Sequence, residues 1–264
     1  MKDQTGRDVV IQRIPSRIVS VVPSQTELLF DLGLNARIVG ITKFCVHPHE
    51  LVSAKTKVGG TKNLNLEKIR SLNPDLIIAN KEENKRSEIE LLMKEFPVWL
   101  SDVKNLPDAL EMIQAVGELT GKPAEAKNIS ETISNQFTNL KSLPMPRDSN
   151  LKSAVYLIWH KPMMTVGSDT FINSMLRWSG FKNVFGNRKR YPEITEAELA
   201  EANPQVILLS SEPFPFRQKH VEYYLRICPG AKILLVDGQM FSWYGSRLQH
   251  APRYFAELMH SSEE

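Results

Sequence analysis

Short apolar runs alternate with amphipathic stretches along this chain, a pattern typical of an α/β protein built on parallel sheets. We predict strands over residues 18–22, 38–41, 76–79, 98–100, 154–159, 206–209 and 233–236. Helices are predicted to begin at Thr26, Asn65, Ser87, Pro107 and Ala251. The fold class expected from this alternation is α/β, with sheets flanked by helices.

A longer helix is predicted over residues 122–141, where apolar side chains recur at steps of three and four. They are Ala126, Ile129, Ile133, Phe137 and Leu140. Pro123 suits the first turn of a helix, which needs no N–H donor there. At ~1.5 Å per residue the helix spans roughly 30 Å, enough to join two lobes as a rigid connector. The proline-containing segment 143–150 predicts a break after it. We therefore predict an N-terminal lobe over 1–121, a connecting helix over 122–142 and a C-terminal lobe over 143–264.

Two segments repeat the same order of a helix, an Asn-Pro pair and an apolar strand. The first is 65–79 and the second is 195–209, where Thr195 and Glu198 form a predicted capping box. Proline disfavours the helical region for the residue before it, so each helix should end at the asparagine. A second repeat relates residues 26–40 to residues 170–186, each a predicted helix closed by glycine and followed by a short apolar segment. Two copies predict two similar lobes rather than a solenoid, which needs at least three, and a cleft between lobes suits a small ligand.

Composition excludes several classes of protein. The 264 residues carry a net charge of +3, and the basic run 188–190 is too short for a nucleic-acid surface. Two cysteines, Cys45 and Cys228, make neither a disulfide framework nor a metal-binding spacing. The polar N-terminus has no secretory core, no lipobox-like cysteine occurs, and no apolar run reaches membrane-spanning length. These features favour a cytoplasmic protein.

Loops that follow the predicted strands carry unusually many aromatic residues. In open α/β sheets such loops contact ligands, and rings with a few polar groups suit a large, flat, partly apolar ligand. Arg247 is suited to pairing with a carboxylate of that ligand. The alternative is that these rings cap the cores of the lobes. The candidate ligand-binding residues are Phe44, His47, Asn80, Trp159, Phe214, Phe216, Phe241, Trp243, Tyr244 and Arg247.

Metal and catalytic motifs are weak in this sequence. Cys45, His47, His49 and Glu50 have the chemistry of zinc ligands, but residues 45, 47 and 49 share a face only in an extended loop, which the proline at 48 complicates. We therefore expect no bound metal ion, with His47 left open as an axial ligand to a metal inside the ligand. The chain has no G-x-S-x-G, P-loop or H-E-x-x-H motif, and 59–62 is predicted to be a turn. We expect neither catalysis nor a catalytic cofactor.

Segments 20–27, 59–67 and 73–79 resemble the class III periplasmic binding proteins, also called helical-backbone metal receptors. That family includes vitamin B12, haem and ferric siderophore receptors, and the resemblance runs from Arg13 to about Phe255. It implies two Rossmann-like lobes joined by one long helix, and a ligand held between them with little hinge closure. It also implies a periplasmic location and an ABC transporter permease as partner. Segments 159–172, 211–220 and 241–248 are most similar to the vitamin B12-binding type.

Several positions depart from the pattern of the B12 receptor. The alignment places Thr61 and Asn80 at two of its tryptophans and His47 at a tyrosine. It places Thr56 and Lys182 where the family carries the glutamates that dock on the transporter. Binding of a metal chelate, cobalamin first and haem second, is the leading hypothesis. A siderophore or free-metal receptor, with a more basic cleft, and a cytosolic enzyme acting on a corrinoid or haem are the alternatives.

Overall fold

The computed structural model describes residues 1–142 and 151–263, which divide into two compact units. Unit 1 consists of Met1–Val103, Pro107–Ser134 and Trp243–Arg247. Unit 2 consists of Lys104–Leu106 and the described residues of Asn135–Ser242 and Leu248–Glu264. The predicted break at 143–150 lies outside the described residues.

Unit 1 contains a five-stranded parallel sheet and a two-stranded antiparallel hairpin. Its strands are β1 Ile18–Ser20, β2 Ile38–Ile41, β3 Thr56–Lys57, β4 Gly59–Gly60, β5 Asn63–Leu64, β6 Leu76–Asn80 and β7 Val98–Ser101. The order in the sheet is β3-β2-β1-β6-β7, and β4 pairs with β5. This hairpin confirms the turn predicted at 59–62. Val19 of β1 lies in register with Ile77 of β6, and both side chains are fully buried at the centre of the core.

Six helices follow the strands of unit 1 or continue from it. They are α1 Pro23–Asp31, α2 His49–Ser53, α3 Leu66–Ser71, α4 Arg86–Leu92, α5 Leu106–Thr120 and α6 Pro123–Ser142. A 3-10 turn, Asn35–Arg37, precedes β2. The helix α6 confirms the long helix predicted from the apolar stripe. Ile133, Phe137 and Leu140 on that stripe are buried, and the chain passes from unit 1 to unit 2 after Ser134, within the helix.

Unit 2 contains a four-stranded parallel sheet in the order β11-β10-β8-β9. Its strands are β8 Lys152–Leu157, β9 Phe181–Asn183, β10 Val206–Ser210 and β11 Lys232–Val236. Its helices are α7 Phe171–Trp178, α8 Glu196–Ala202, α9 Gln218–Ile227, α10 Gly238–Ser242 and α11 Ala251–Glu263, with a 3-10 turn at Ser246–His250.

The two units share one strand order. The order β2-β1-β6-β7 in unit 1 corresponds to β9-β8-β10-β11 in unit 2, and every neighbouring pair in both is parallel. The repeat read from the sequence therefore corresponds to a repeated α/β topology. The predicted capping box is also present, since Thr195 Oγ1 accepts a hydrogen bond from the Glu198 N–H and the Glu198 carboxylate accepts one from the Thr195 N–H.

Each repeated helix ends just before its asparagine, α3 with its cap at Leu72 and α8 with its last residue at Ala202. The asparagines of the two Asn-Pro pairs, Asn73 and Asn203, have positive φ angles in the left-handed region. A residue in that conformation terminates a helix by itself, and asparagine adopts it more readily than most residues. The proline that follows cannot continue the helix.

No helix in the described part of the chain is both long enough and apolar enough to cross a membrane.

Candidate functional site

Asn80 ends β6 at the carboxyl edge of the unit 1 sheet and is buried. Its Nδ2 donates to the Ser101 carbonyl oxygen at 3.3 Å and to Ser101 Oγ at 3.0 Å. Its Oδ1 accepts from the N–H groups of Glu82 at 2.7 Å and Glu83 at 3.0 Å. Both donor positions and both acceptor positions of this amide are used internally. Asn80, predicted as a ligand contact, instead shapes the loop after β6.

Asn84 fixes the other end of the same loop. Its Oδ1 accepts from the Asn80 N–H at 2.8 Å, and its Nδ2 donates to the carbonyl oxygens of Val21 at 3.0 Å and Thr61 at 3.1 Å. One amide therefore ties together the loops after β1, β4 and β6. Asn84 was not among the predicted site residues, because a single asparagine in a polar loop gives no signal of such a role.

The segment Trp243–Arg247, which we call the strap, belongs to unit 1 although the sequence analysis placed it in the C-terminal lobe. The reason is a set of contacts to acidic residues of unit 1. Tyr244 Oη donates to the Glu83 carboxylate, and Ser246 Oγ donates to Asp31. Arg247 forms a two-pronged pair with Glu27, with Nε to Oε2 at 2.9 Å. Arg247, predicted to pair with a carboxylate of the ligand, is thus paired with a carboxylate of its own unit.

Trp243 lies between a histidine and an arginine within unit 1. The His47 ring packs edge-on against it, with 5.5 Å between centroids and 72° between planes. The Arg247 guanidinium lies 5.3 Å from the centroid of the indole ring, a distance typical of a cation–π contact. The structure therefore brings together three predicted residues, His47, Trp243 and Arg247, while the neighbouring Tyr244 contacts Glu83.

Phe44 and Cys45 have opposite environments. Phe44 is 51% exposed, and its ring covers Gly60 so closely that a Cβ there would lie 3.1 Å from Phe44 Cε2. Cys45 is buried, with its Sγ 3.2 Å from Thr26 Oγ1 and 3.3 Å from Thr42 Oγ1, and burial raises the pKa of its thiol. Among the residues the structure describes, no three His, Cys, Asp or Glu side chains converge as a metal site.

An aromatic group lies at the carboxyl edge of the unit 2 sheet. Trp159 follows β8 and is 38% exposed, and its ring packs against Phe214 with 5.6 Å between centroids. Phe214 in turn packs on Phe216 at 4.8 Å. These three predicted residues form one aromatic cluster, which we call the aromatic surface. Trp159 lies at its open side, and Phe216 is buried in the core of unit 2.

His160 lies behind this surface, against Phe214 and Phe216, and was not among the predicted ligand-binding residues. Its Nδ1 is 2.9 Å from Tyr224 Oη, and its ring lies 5.2 Å from the ring of His220. Burial lowers the pKa of His160, and the charges of His220, Lys161 and Lys219 act in the same direction. His160 is therefore favoured as a neutral ring that supports the aromatic surface.

Phe241 belongs to the core of unit 2. It is fully buried, and its ring packs against Tyr156 at 5.0 Å and Phe255 at 4.9 Å. The buried hydroxyl of Tyr156 donates to Ser210 Oγ at 2.9 Å. For Phe241, the reading of the loop aromatics as caps on a lobe core is the one that fits the structure.

Comparison with known proteins identifies the family. The family model described as periplasmic binding protein matches residues 18–222. The chain belongs to the periplasmic binding protein family. This is a family of substrate-binding proteins, so its members bind small molecules.

Individual relatives of this periplasmic binding protein carry more specific names. An uncharacterized ABC transporter substrate-binding lipoprotein, YvrC of Bacillus subtilis, is 27% identical over 214 residues, covering 78% of this chain and 67% of the relative. A vitamin B12-binding protein of Vibrio vulnificus is 28% identical over 206 residues, covering 76% of this chain and 74% of the relative. The solved structure of the periplasmic heme-binding protein RhuT from Roseiflexus superposes with a TM-score of 0.80 at 20% identity, covering 94% of this chain and 99% of RhuT. It has the same fold.

Proposed function

We propose that this periplasmic binding protein binds a tetrapyrrole-like metal chelate, with cobalamin as the preferred ligand. The observation that carries the proposal is the aromatic surface of unit 2. Trp159 is more than a third exposed while it is held edge-on by Phe214. A large ring kept in place and open to solvent offers apolar contact area to a flat ligand at little cost in side-chain entropy.

Unit 1 carries candidate contact residues of its own. Phe44 is half exposed, and Trp243, which is only 6% exposed, is held between His47 and Arg247. Asn80 and Phe241 are left out of the proposed contacts because the first has its amide fully bonded and the second is enclosed in the core. Arg247 is assigned an indirect role, since Glu27 already pairs with its guanidinium.

Cobalamin is preferred because relatives named as vitamin B12-binding proteins match most of this chain. Haem is the alternative, and a specific contact favours it. The imidazole of His47 lies beside an indole ring, and an imidazole next to a flat aromatic surface suits axial ligation of a haem iron. A heme-binding protein with the same fold supports keeping this alternative.

Delivery of the chelate to a transporter is part of the proposal. The match to an ABC transporter substrate-binding lipoprotein supports a permease as the partner and a site of action outside the cytoplasm. Co-purification of the chain with a candidate permease in the presence of bound chelate tests this step, and a complex that forms equally well with unrelated permeases would contradict it.

Titration of the purified protein with cyanocobalamin, and separately with haemin, tests the proposed ligand. Tryptophan quenching and the visible spectrum of the chelate are followed together. Saturable quenching by cyanocobalamin at micromolar concentration is the expected result. Saturation by haemin alone, with a shifted Soret band, would replace cobalamin by haem. An unchanged signal with both chelates would contradict the proposed function, while the assignment of the fold would be unaffected.

A further inference from the structure

The strap is an unusual part of unit 1 because both flanking residues, Ser242 and Leu248, belong to unit 2. Five residues between them therefore belong to unit 1. The side chains of the strap contact three acidic residues of unit 1, Glu27, Asp31 and Glu83.

The strongest of these contacts is the ion pair between Glu27 of α1 and Arg247. Both carboxylate oxygens are used, and the Glu27 and Arg247 side chains are only 12% and 16% exposed. A two-pronged carboxylate–guanidinium pair fixes direction as well as distance. Because the pair is largely withdrawn from water, removing one partner leaves the other charge poorly solvated.

The backbone of the strap lies directly on α1. A Cβ built on Gly245 would lie 2.3 Å from the Ser24 carbonyl oxygen, which is too close for any side chain. The contact is therefore between two backbones, and only glycine allows it. Asp31, one turn beyond Glu27 on α1, accepts the hydrogen bond from Ser246.

Glu83 holds the other end of the strap. Its carboxylate accepts from Tyr244 Oη, and its own N–H donates to Asn80 Oδ1 at 3.0 Å. The buried amide of Asn80 thus fixes the loop that presents Glu83. Tyr244 is anchored through this loop to the end of β6.

We propose that Glu27 and Glu83 are positioning residues that hold the strap on unit 1 and so set the orientation of Trp243 and Tyr244 for ligand binding. Arg247 acts in the same way, because its guanidinium links Glu27 to the face of Trp243. The effect on chelate affinity rests on the proposed function, whereas the attachment of the strap to unit 1 does not.

Two matched pairs of variants test the proposal. Glu27→Gln is compared with Glu95→Gln, which alters an arginine–glutamate pair of Arg70 on the exposed surface. Glu83→Ala is compared with Glu196→Ala, which removes the partner of another tyrosine, Tyr223. The first member of each pair alters a strap contact, and the second alters the same chemistry elsewhere.

Hydrogen exchange of ligand-free protein is the first readout. We expect faster deuterium uptake in residues 243–247 for Glu27→Gln and Glu83→Ala, and unchanged uptake there for both controls. Unchanged uptake in both strap variants would overturn the proposal. If Glu27→Gln does not fold, the double variant Glu27→Gln with Arg247→Gln removes both charges together, and faster uptake in 243–247 is again expected.

Chelate affinity is the second readout. We expect Glu27→Gln to weaken chelate binding by about tenfold or more, in line with the loss of one partner of a buried charge pair. Faster exchange in residues 243–247 with unchanged chelate affinity would show that Glu27 and Glu83 hold the strap, but it would overturn the role of the strap in ligand binding. If the wild-type protein binds neither cyanocobalamin nor haemin, the proposed function fails, and so does the assigned effect on affinity. The hydrogen-exchange result still decides whether Glu27 and Glu83 hold the strap on unit 1.

Discussion

Asn73 and Asn203 have the same backbone conformation at the same point of their units, with φ angles of 41° and 40°. Each lies between a helix and a strand, α3 and β6 in unit 1 and α8 and β10 in unit 2. The turn is fastened in a similar way in both. Asp75 accepts from the Arg17 N–H at 2.7 Å, and Gln205 Oε1 accepts from the Ser153 N–H at 2.9 Å. The repeat therefore extends from strand order to individual backbone contacts.

We expect replacement of Asn203 by alanine to destabilise the protein, since alanine tolerates the left-handed region less well. The expected loss is about 1 kcal/mol in the free energy of unfolding, measured by urea denaturation. Glycine at the same position is the control and should cost less than alanine, because it has no Cβ. Equal losses for alanine and glycine would show that the conformation of Asn203 is not what stabilises the turn.

We expect Trp159→Ala to weaken chelate binding by about 1–3 kcal/mol, because it removes the exposed ring of the aromatic surface. Trp178→Ala is the matched control, since the Trp178 ring packs on Phe137. Affinity is measured by equilibrium dialysis, which does not depend on tryptophan emission. Equal affinities for wild type and Trp159→Ala would remove Trp159 from the proposed site.

Phe241→Ala should act on stability. The ring is fully buried against Tyr156 and Phe255, so truncation leaves a cavity and costs about 3–5 kcal/mol in the free energy of unfolding. Affinity is then measured at low temperature on the folded protein, where we expect little change. A large loss of chelate affinity together with a small loss of stability would show that Phe241 contacts the ligand.

His160 makes stability depend on pH. Its pKa is lowered in the folded state, so the unfolded chain binds the proton more tightly. Stability is then lost as the pH falls below the unfolded value of about 6.5 and toward the lower folded value. We expect His160→Gln to lose less stability than wild type between about pH 7.5 and pH 5. His260→Gln on α11 is the control, and a wild-type slope in His160→Gln would contradict the assignment.

Much of the fold was predictable from the sequence. The seven predicted strands and the long helix α6 are present because apolar runs and periodic stripes are strong signals over many residues. The short elements β3, β9, α2 and α10 were missed, and so was the ten-residue helix α9. Elements of two to five residues carry too few positions for a period to be recognised, and they form because the rest of the unit holds them.

The candidate site was less predictable. The rule that ligand contacts follow strand ends selected Trp159, which is 38% exposed, but it also selected Trp243, which is only 6% exposed, and Phe241, which lies in the core. Sequence patterns do not distinguish a loop ring that faces solvent from one that faces a neighbouring helix. The partners of the strap, Glu27 and Glu83, lie 220 and 161 positions from the residues they bind, beyond the reach of any local pattern.

Calorimetric titration of the wild-type protein with cyanocobalamin tests the central claim most directly, because it reports binding without any assumption about which residues change. We predict one saturable transition with a dissociation constant in the micromolar range or below. Absence of a saturable heat with cyanocobalamin, and also with haemin, at concentrations well above that range would contradict the assignment of this chain as a metal-chelate binding protein.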